Sequence, residues 1–106
     1  MDQFVALKNE TDDAGNPAGG WTEGLGIAIR WQNGPLGTGA TRQDPNGAFV
    51  EGVIKAALFR LEFYQASKFA CEENAAAIVN LKAALESLES RTAKRVQRGV
   101  EGTHTV

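Results

Sequence analysis

The chain has 106 residues, of which 42% are hydrophobic and 23% are charged, and its formal net charge is −2. These values are typical of one small globular domain with a thin core. A slightly negative chain has no general basic field for a nucleic acid polymer or an acidic membrane surface, so any phosphate binding requires a local cluster of cations.

The cysteine count and the hydropathy of the chain indicate its cellular compartment. The single cysteine, Cys71, excludes an internal disulfide framework and is typical of a reducing cytosol. The apolar runs are too short to span a bilayer, and the first residues lack the apolar core of a secretory signal. We therefore expect a cytosolic domain.

Residues 1–23 are expected to form a variable arm, or a strand followed by a loop. Residues 4–8 predict a short strand, and residues 9–20, which are rich in Asn, Asp, Gly and Pro, predict a loop or flexible arm. Asp12 and Asp13 do not indicate a calcium loop, because their spacing is wrong and no glutamate closes the segment.

Residues 24–32 alternate between apolar and polar side chains, which predicts a half-buried strand. An Asn-Gly-Pro turn and a glycine-rich loop at 36–47 follow, and the loop matches neither a Walker loop nor a dinucleotide-binding fingerprint. Asn46 is a candidate N-cap for the next helix. Packing in a core or an interface best explains Trp21 and Trp31, and base stacking is the alternative.

The second half of the chain predicts two helices. Apolar residues recur every three or four positions from about residue 47 to 65 and again from about 71 to 98, and Gly99 supplies a stop signal. The short connection makes these helices antiparallel neighbours. We predict an α+β fold with a short N-terminal antiparallel β region followed by two long antiparallel α-helices. A single domain would occupy residues 24–106 and end in a fraying tail at 99–106.

The last turns of the second predicted helix carry four cations and no acid. Arg91, Arg95 and Arg98 lie on one edge beside the apolar stripe, and Lys94 lies between them. A row of guanidinium groups there is suited to binding phosphate. The alternative is a solvated basic face that complements the negative end of the helix dipole. A thin core and a long amphipathic helix also predict an oligomer.

No arrangement of residues indicates a metal, a cofactor or a catalytic site. His104 is the only histidine and lies far from Cys71 in the sequence, so a zinc ligand set is missing. No nucleophile, histidine and acid occur at a suitable spacing, and the helix dipole better explains Glu72 and Glu73. We therefore expect no enzyme activity, no cofactor and no metal.

Several segments of the chain resemble one known family. They are 31–35 (WQNGP), 63–65 (FYQ), 69–75 (FACEENA) and 98–104 (RGVEGTH). Over residues 24–106 the chain resembles the phage anti-defence sponge family, whose domain is shared by Thoeris anti-defence protein one and anti-CBASS protein two. The QNGP segment favours the anti-Thoeris branch.

The resemblance implies a phage-encoded protein that acts without turnover in the cytoplasm of the infected bacterial host. Members of the family bind cyclic nucleotide second messengers and hold them intact, so that Thoeris or CBASS effectors are not activated. In the anti-Thoeris branch the ligand is glycocyclic ADP-ribose, held between two protomers. Several members also bind cyclic trinucleotides in separate pockets. The implied assembly is a homo-oligomer of dimer units that form a hexamer, with neither a nucleic acid polymer nor a membrane as partner.

The resemblance also implies a set of ligand-binding residues. They comprise an aromatic ring that stacks on adenine, an amide that contacts the ligand, two arginines that bind the pyrophosphate and two apolar wall residues. In that order they are Tyr64, Asn74, Arg91 with Arg95, and Val96 with Leu85.

Residues in the tail and in the glycine-rich loop have further implied roles. Candidates for the trinucleotide pocket are Arg98, Thr103 and His104, although this tail could instead only order an interface. Asn33 and Gly34 are better explained as a structural turn than as ligand contacts. In the loop region where the family has another polar contact, this chain has an arginine at position 42.

Two other functions stay open. An enzyme that hydrolyses the same ligands would need a metal cluster or a general base, and the sequence offers neither in an evident form. A helical-hairpin adaptor with no nucleotide ligand would use the apolar seam for protein partners.

Overall fold

The computed structural model describes residues 4–106, with side chains from residue 6 onward. Three strands precede two helices, and they are β1 (Phe4–Thr11), β2 (Pro17–Gly24), β3 (Ile27–Arg30), α1 (Val50–Gln65) and α2 (Glu72–Gln97). One turn of 3-10 helix, Gly39–Thr41, lies between β3 and α1. This order confirms the predicted α+β class, with an antiparallel β region ahead of two helices.

The three strands form one antiparallel sheet in the order β1-β2-β3. Asp12 closes the turn between β1 and β2, because its carboxylate accepts hydrogen bonds from the backbone N–H groups of Ala14 and Asn16, each at 2.9 Å. This local closure leaves only residues 12–16 outside the strands. The prediction of a loop at residues 9–20 was therefore wrong at both of its ends.

Glycines inside β2 explain why its sequence is typical of a loop. Gly20 has a φ of +123°, and a Cβ atom at this position would meet the backbone carbonyl oxygen of Lys8 on β1. Glycine is required here by the close approach of two strands rather than by a turn. The sheet also continues across the predicted boundary between residues 23 and 24, because β2 ends at Gly24 and pairs with β3.

The strand predicted at residues 24–32 is shorter in the structure, because Gly26, with a φ of +75°, turns the chain between β2 and β3. Its predicted alternation is present, since both isoleucines of β3 are half-buried while the other two residues are exposed. Directly after β3, Trp31 forms a parallel bridge with Ala48.

Asn46 connects two parts of the loop and does not cap α1. Its side chain accepts the backbone N–H of Asn33 at 2.8 Å and donates to the carbonyl of Asn33 at 2.9 Å. The side-chain oxygen of Gln32 in turn accepts the backbone N–H of Asn46 at 2.8 Å. Because α1 begins only at Val50, the predicted capping role was wrong.

The two helices pack against each other as an antiparallel hairpin. Lys82 Nζ lies 3.9 Å from Glu62 Oε1, and Arg91 Nη2 lies 3.8 Å from Glu51 Oε1. Residue numbers therefore rise along α1 as they fall along α2, as the short connection predicted.

Local signals begin and end α2. Cys71 is its N-cap, and the Sγ atom accepts the backbone N–H of Asn74 at 3.4 Å. The side chain of Gln65 binds both backbone groups of Cys71, at 3.1 Å to the N–H and 3.0 Å to the carbonyl. Gly99, with a φ of +73°, follows the last turn as predicted.

The hairpin has a thin core. Leu58 on α1 and Leu85 on α2 are 5% and 8% exposed, and they are the only buried hydrophobic side chains among those the structure describes. Phe59 and Phe63 on α1 are 62% and 60% exposed. Large exposed aromatic side chains on one helix are typical of a surface that another protein surface covers.

The chain divides into two compact units. One contains the sheet, the residues up to Phe49 and the tail Val100–Val106, and the other is the hairpin Val50–Gly99. The backbone N–H of Gly37 donates to the carbonyl of Gly102 at 2.9 Å. The prediction that the tail frays was therefore wrong, because its backbone is hydrogen-bonded to a loop 65 residues earlier in the sequence.

Candidate functional site

The last turns of α2 carry the two predicted phosphate-binding arginines. Arg91 is exposed, and Arg95, one turn later, is half-buried. Because Glu51 in the first turn of α1 lies beside Arg91, α2 continues about one turn past the start of α1. Val96 lies in this extension and is 59% exposed, although it shares a helix face with the buried Leu85.

Arg91 makes a long ion pair with Glu51, in which the arginine is exposed and the glutamate is half-buried. A single contact of 3.8 Å joins Nη2 to Oε1, and most of the arginine side chain faces solvent. A single long contact to an exposed arginine contributes little to stability, because solvent screens it and both side chains lose entropy. The guanidinium can therefore exchange the carboxylate for a phosphate group at small cost.

The opposite end of the hairpin carries the predicted aromatic ring and amide. Tyr64 lies in the last turn of α1, and the Arg60 guanidinium lies 4.8 Å from the centroid of its ring. The same guanidinium is 4.8 Å from the ring centroid of Phe63. Asn74 is half-buried in the first turn of α2, and its side-chain nitrogen lies 3.5 Å from the carbonyl oxygen of Phe69.

Sequence reasoning missed Arg60. Its spacing of four residues from Tyr64 is the signal that could have found it, because residues four apart lie on one helix face and an arginine there can contact the ring. This cation adds positive charge beside the ring at which a base would stack.

The two ends of the hairpin are not brought together within one chain. Asn74 and Arg91 are both on α2, and their separation corresponds to about 25 Å along the axis at 1.5 Å per residue. Leu85 lies between them in the core of the hairpin and offers a ligand little surface. A nucleotide-sized ligand cannot contact both ends of the same hairpin.

The candidates for a second pocket lie at the end of α2 and after it. Arg98 is the C-cap residue of α2 and is exposed. The hydroxyl of Thr103 donates to the carbonyl of Val100 at 2.6 Å and accepts the backbone N–H of Thr105 at 3.2 Å. His104 is exposed. The tail thus forms a hydrogen-bonded turn that includes two of the three candidates.

Arg42 forms a bidentate ion pair with Glu101. Its Nη1 and Nη2 atoms lie 2.6 Å and 3.0 Å from the two carboxylate oxygens, and Nη1 also lies 3.3 Å from the carbonyl oxygen of Gly37. The hydrogen bonds to Glu101, and then its negative charge, raise the pKa of the Arg42 guanidinium above its ordinary value. No local pattern pointed to this pair, because its members are 59 residues apart.

Asn33 and Gly34 form part of a turn. The backbone N–H and carbonyl of Asn33 are both bound by the side chain of Asn46. The carbonyl of Gly34 accepts the side-chain amide of Gln32 at 3.1 Å, and Gly34 has a φ of +82°. These contacts give Asn33 and Gly34 a structural role that requires no ligand.

The sheet has a shallow concavity of about 810 Å³ that both tryptophans line. Trp21 is exposed, Trp31 is half-buried, and Arg30 lines the same concavity. Neither tryptophan is part of a buried core, so packing in an interface and base stacking are the explanations that stay open.

Residues 4–106, which the structure describes, contain neither a metal-binding cluster nor a helix that could span a membrane. No three His, Cys, Asp or Glu side chains there are grouped so that they could hold a metal ion. No helix in that range is long and apolar enough to cross a membrane.

Two comparisons with known proteins agree. The model of the Acb2/Tad1 hairpin domain matches residues 23–93, a segment that contains β3, α1 and most of α2. Over 76 residues the chain is 46% identical to "Thoeris anti-defense 1" of Bacillus phage SBSphiJ7, an alignment that covers 72% of this chain and 51% of the relative. The chain spans about half the length of that relative.

Proposed function

This chain belongs to the family of the Acb2/Tad1 hairpin domain, and from that premise we propose that it is a phage protein that sequesters cyclic nucleotide second messengers. Its main ligand is glycocyclic ADP-ribose, which it binds without cleavage in the cytoplasm of the infected bacterium. Sequestration keeps the Thoeris effector from being activated. The name of the phage relative, Thoeris anti-defense 1, supports a function against Thoeris.

The observation that carries the proposal is the separation of the two ends of the hairpin. Tyr64 and Asn74 lie at the end where α1 meets α2, and Arg91 and Arg95 lie about 25 Å away at the other end. Two copies of an antiparallel hairpin related by a two-fold axis can place the aromatic end of one against the arginine end of the other. Such a dimer would have two equivalent sites.

Each end of the hairpin matches one part of the ligand. Arg91 and Arg95 present guanidinium groups, which bind phosphate oxygens in a bidentate manner. The ring of Tyr64 provides a face for the adenine, and the amide of Asn74 can donate to and accept from the edge of a base. None of these four side chains is a suitable general base at neutral pH, so we propose binding without turnover.

Ligand release followed by mass spectrometry tests the proposal. The purified protein is incubated with glycocyclic ADP-ribose and a panel of cyclic dinucleotides and trinucleotides, free ligand is removed, and the protein is denatured by heat. We expect intact glycocyclic ADP-ribose in stoichiometric amount. Recovery of a cleaved product would identify an enzyme and contradict the proposal, and recovery of no ligand would contradict it too.

Two neighbouring cations give a matched pair of variants for the same assay. Arg95→Ala removes a proposed phosphate contact, and Lys94→Ala removes the same charge one residue away. We expect a loss of about ten- to a hundredfold in affinity for Arg95→Ala, which is typical of one charge-assisted hydrogen bond, and little change for Lys94→Ala. Equal losses would show that only the general charge of the helix end matters.

Mixing two defective protomers tests the shared site directly. Tyr64→Ala and Arg95→Ala are each expected to bind weakly alone. If every site takes its ring from one copy and its arginines from the other, about a quarter of the sites in a random mixture of the two variants are intact. Recovery of that capacity supports the shared site, and no recovery contradicts it.

A protein-binding adaptor is the second candidate function, and the exposed Phe59 and Phe63 favour it. An adaptor would retain its partner in the Arg95→Ala variant and would release no nucleotide on heating. The sponge would lose its ligand in that variant and keep its assembly, so one pair of measurements separates the two candidates.

The proposal extends to a second ligand class. Cyclic trinucleotides would bind in separate pockets of a hexamer built from dimer units, and the protein would then also interfere with CBASS signalling. Thr103 and His104 in the tail are the candidate contacts, with Arg98 at the helix end. The trinucleotides in the ligand panel test this extension independently of glycocyclic ADP-ribose.

A further inference from the structure

The tail Val100–Val106 has no regular secondary structure, yet it has a defined conformation. Within the tail, Val100 accepts two hydrogen bonds from Thr103, one from its backbone N–H at 3.2 Å and one from its hydroxyl at 2.6 Å. These bonds shape a local turn. They do not connect the turn to the remainder of its compact unit.

A set of contacts joins the tail to the loop before α1. The backbone N–H of Gly37 donates to the carbonyl of Gly102, and the guanidinium of Arg42 holds the carboxylate of Glu101 through two hydrogen bonds. Arg42 also donates to the carbonyl of Gly37, so one side chain contacts Gly37 and the residue that precedes Gly102.

The loop that carries Arg42 is itself closed. The backbone N–H of Gln43 donates to the carbonyl of Leu36 at 2.7 Å, which brings the two ends of the loop together. The 3-10 turn Gly39–Thr41 lies between them. The backbone position of Arg42 is therefore fixed by the loop. Its bidentate pair with Glu101 in turn fixes the position of the tail.

We propose that Arg42 and Glu101 are a positioning pair that holds the C-terminal tail in its binding conformation and does not itself contact the ligand. Both terminal nitrogens of Arg42 are engaged by the carboxylate, and a neighbouring negative charge disfavours a phosphate at the same guanidinium. Ordering the tail before binding removes an entropy cost that the ligand would otherwise have to offset. The role in ligand binding rests on the proposed trinucleotide pocket, whereas the ordering of the tail does not.

Charge reversal and its repair test this assignment. The variants are Arg42→Glu, Glu101→Arg and the double variant in which the two residues are exchanged, with Arg30→Glu as a control that makes the same charge change on the exposed face of the same unit. Each protein is measured by amide hydrogen exchange in the tail and by its affinity for a cyclic triadenylate and for glycocyclic ADP-ribose.

We expect each single reversal to speed exchange of the tail amides by about tenfold and to weaken triadenylate binding by about tenfold. The exchanged pair should restore both, and Arg30→Glu should leave both unchanged. Glycocyclic ADP-ribose binding should be unaffected throughout, because its proposed contacts are on the hairpin.

Three results would overturn the assignment or limit it to the ordering of the tail. Unchanged tail exchange in both single reversals would show that the pair does not order the tail. Restored exchange without restored triadenylate binding would show that Arg42 contacts the ligand directly. If the unmodified chain binds glycocyclic ADP-ribose but no triadenylate, the second pocket of the proposed function fails, and the exchange data alone then decide the role of the pair.

Discussion

The sheet unit and the helical hairpin each contain an arginine–glutamate pair. The two pairs differ in the number and the length of their contacts. In the sheet unit, Arg42 meets Glu101 through two short hydrogen bonds of 2.6 Å and 3.0 Å. In the hairpin, Arg91 approaches Glu51 through one contact of 3.8 Å. The first guanidinium is used by the fold, and the second can exchange its partner for a ligand.

The same contrast extends to how each unit is stabilised. Side chains of the sheet unit bind backbone groups far away in sequence, as Asn46 does with Asn33 and as Gln32 does with Asn46. The hairpin instead relies on helix packing with two buried leucines and leaves Phe59 and Phe63 exposed. The exposed aromatic side chains on α1 make the hairpin suited to association with further surfaces.

Removing both hairpin arginines should have the largest effect. In Arg91→Ala/Arg95→Ala two charge-assisted phosphate contacts are lost, and we expect the affinity for glycocyclic ADP-ribose to fall by roughly a hundred- to ten-thousandfold. Titration calorimetry measures the affinity, and sedimentation checks that assembly is unchanged. A loss no greater than that of Arg42→Ala would erase the distinction between the two pairs.

Two glycines of positive φ should show that the tail belongs to the sheet unit. Gly102→Ala should destabilise by about 1–3 kcal/mol, because the new Cβ would be in a left-handed backbone and would meet the carbonyl oxygen of Gly37. Gly99→Ala has the same backbone strain, and nothing lies within 4 Å of its new Cβ. Denaturant unfolding should therefore give the larger loss for Gly102→Ala, and equal losses would argue against a packed tail.

Neutralising Glu51 tests the hairpin pair by changing its acid rather than its arginine. Glu51→Gln removes the carboxylate that competes with phosphate for Arg91, so glycocyclic ADP-ribose should bind about two- to fivefold more tightly, in keeping with the small free energy of a single long contact to an exposed arginine. Glu101→Gln should give no such gain. Titration calorimetry or fluorescence titration measures the affinity of both variants for glycocyclic ADP-ribose. Weaker binding by Glu51→Gln would contradict the expectation.

The smallest effect is expected at the turn between β1 and β2. The backbone N–H of Asn16, its side-chain amide and the N–H of Ala14 hold the pKa of Asp12 below its ordinary value. A lowered pKa in the folded state means that this stabilisation is present above the ordinary carboxyl pKa and is lost as the pH falls through the lowered value.

Stability measured for Asp12→Asn beside the unmodified chain checks that sign. The difference between the two proteins should be greatest near neutral pH and should shrink as the pH falls below the ordinary carboxyl pKa. Asp13→Asn, one residue away, is the matched control. A difference that grows on acidification would contradict the assignment.

The helices could be predicted closely because their signals are local. Apolar spacing and the Gly99 stop signal act within a few residues, and the observed helices Val50–Gln65 and Glu72–Gln97 lie within the predicted spans. The sheet could not be predicted as well, because Gly20 is typical of a loop until the backbone of β1 is known to lie against it.

The features of the candidate site also divide into those that the sequence predicted and those that required the structure. The sequence by itself determined the class of fold, the row of arginines and, through its resemblance to a family, the residues expected to bind a nucleotide. Only the tertiary structure decided that Gly20 lies against the backbone of β1, that Arg42 is bound to Glu101, and that the tail is hydrogen-bonded to the loop before α1. The physical reason is distance along the chain: pattern and propensity act over a few residues, whereas these three features depend on groups that folding brings together or holds apart.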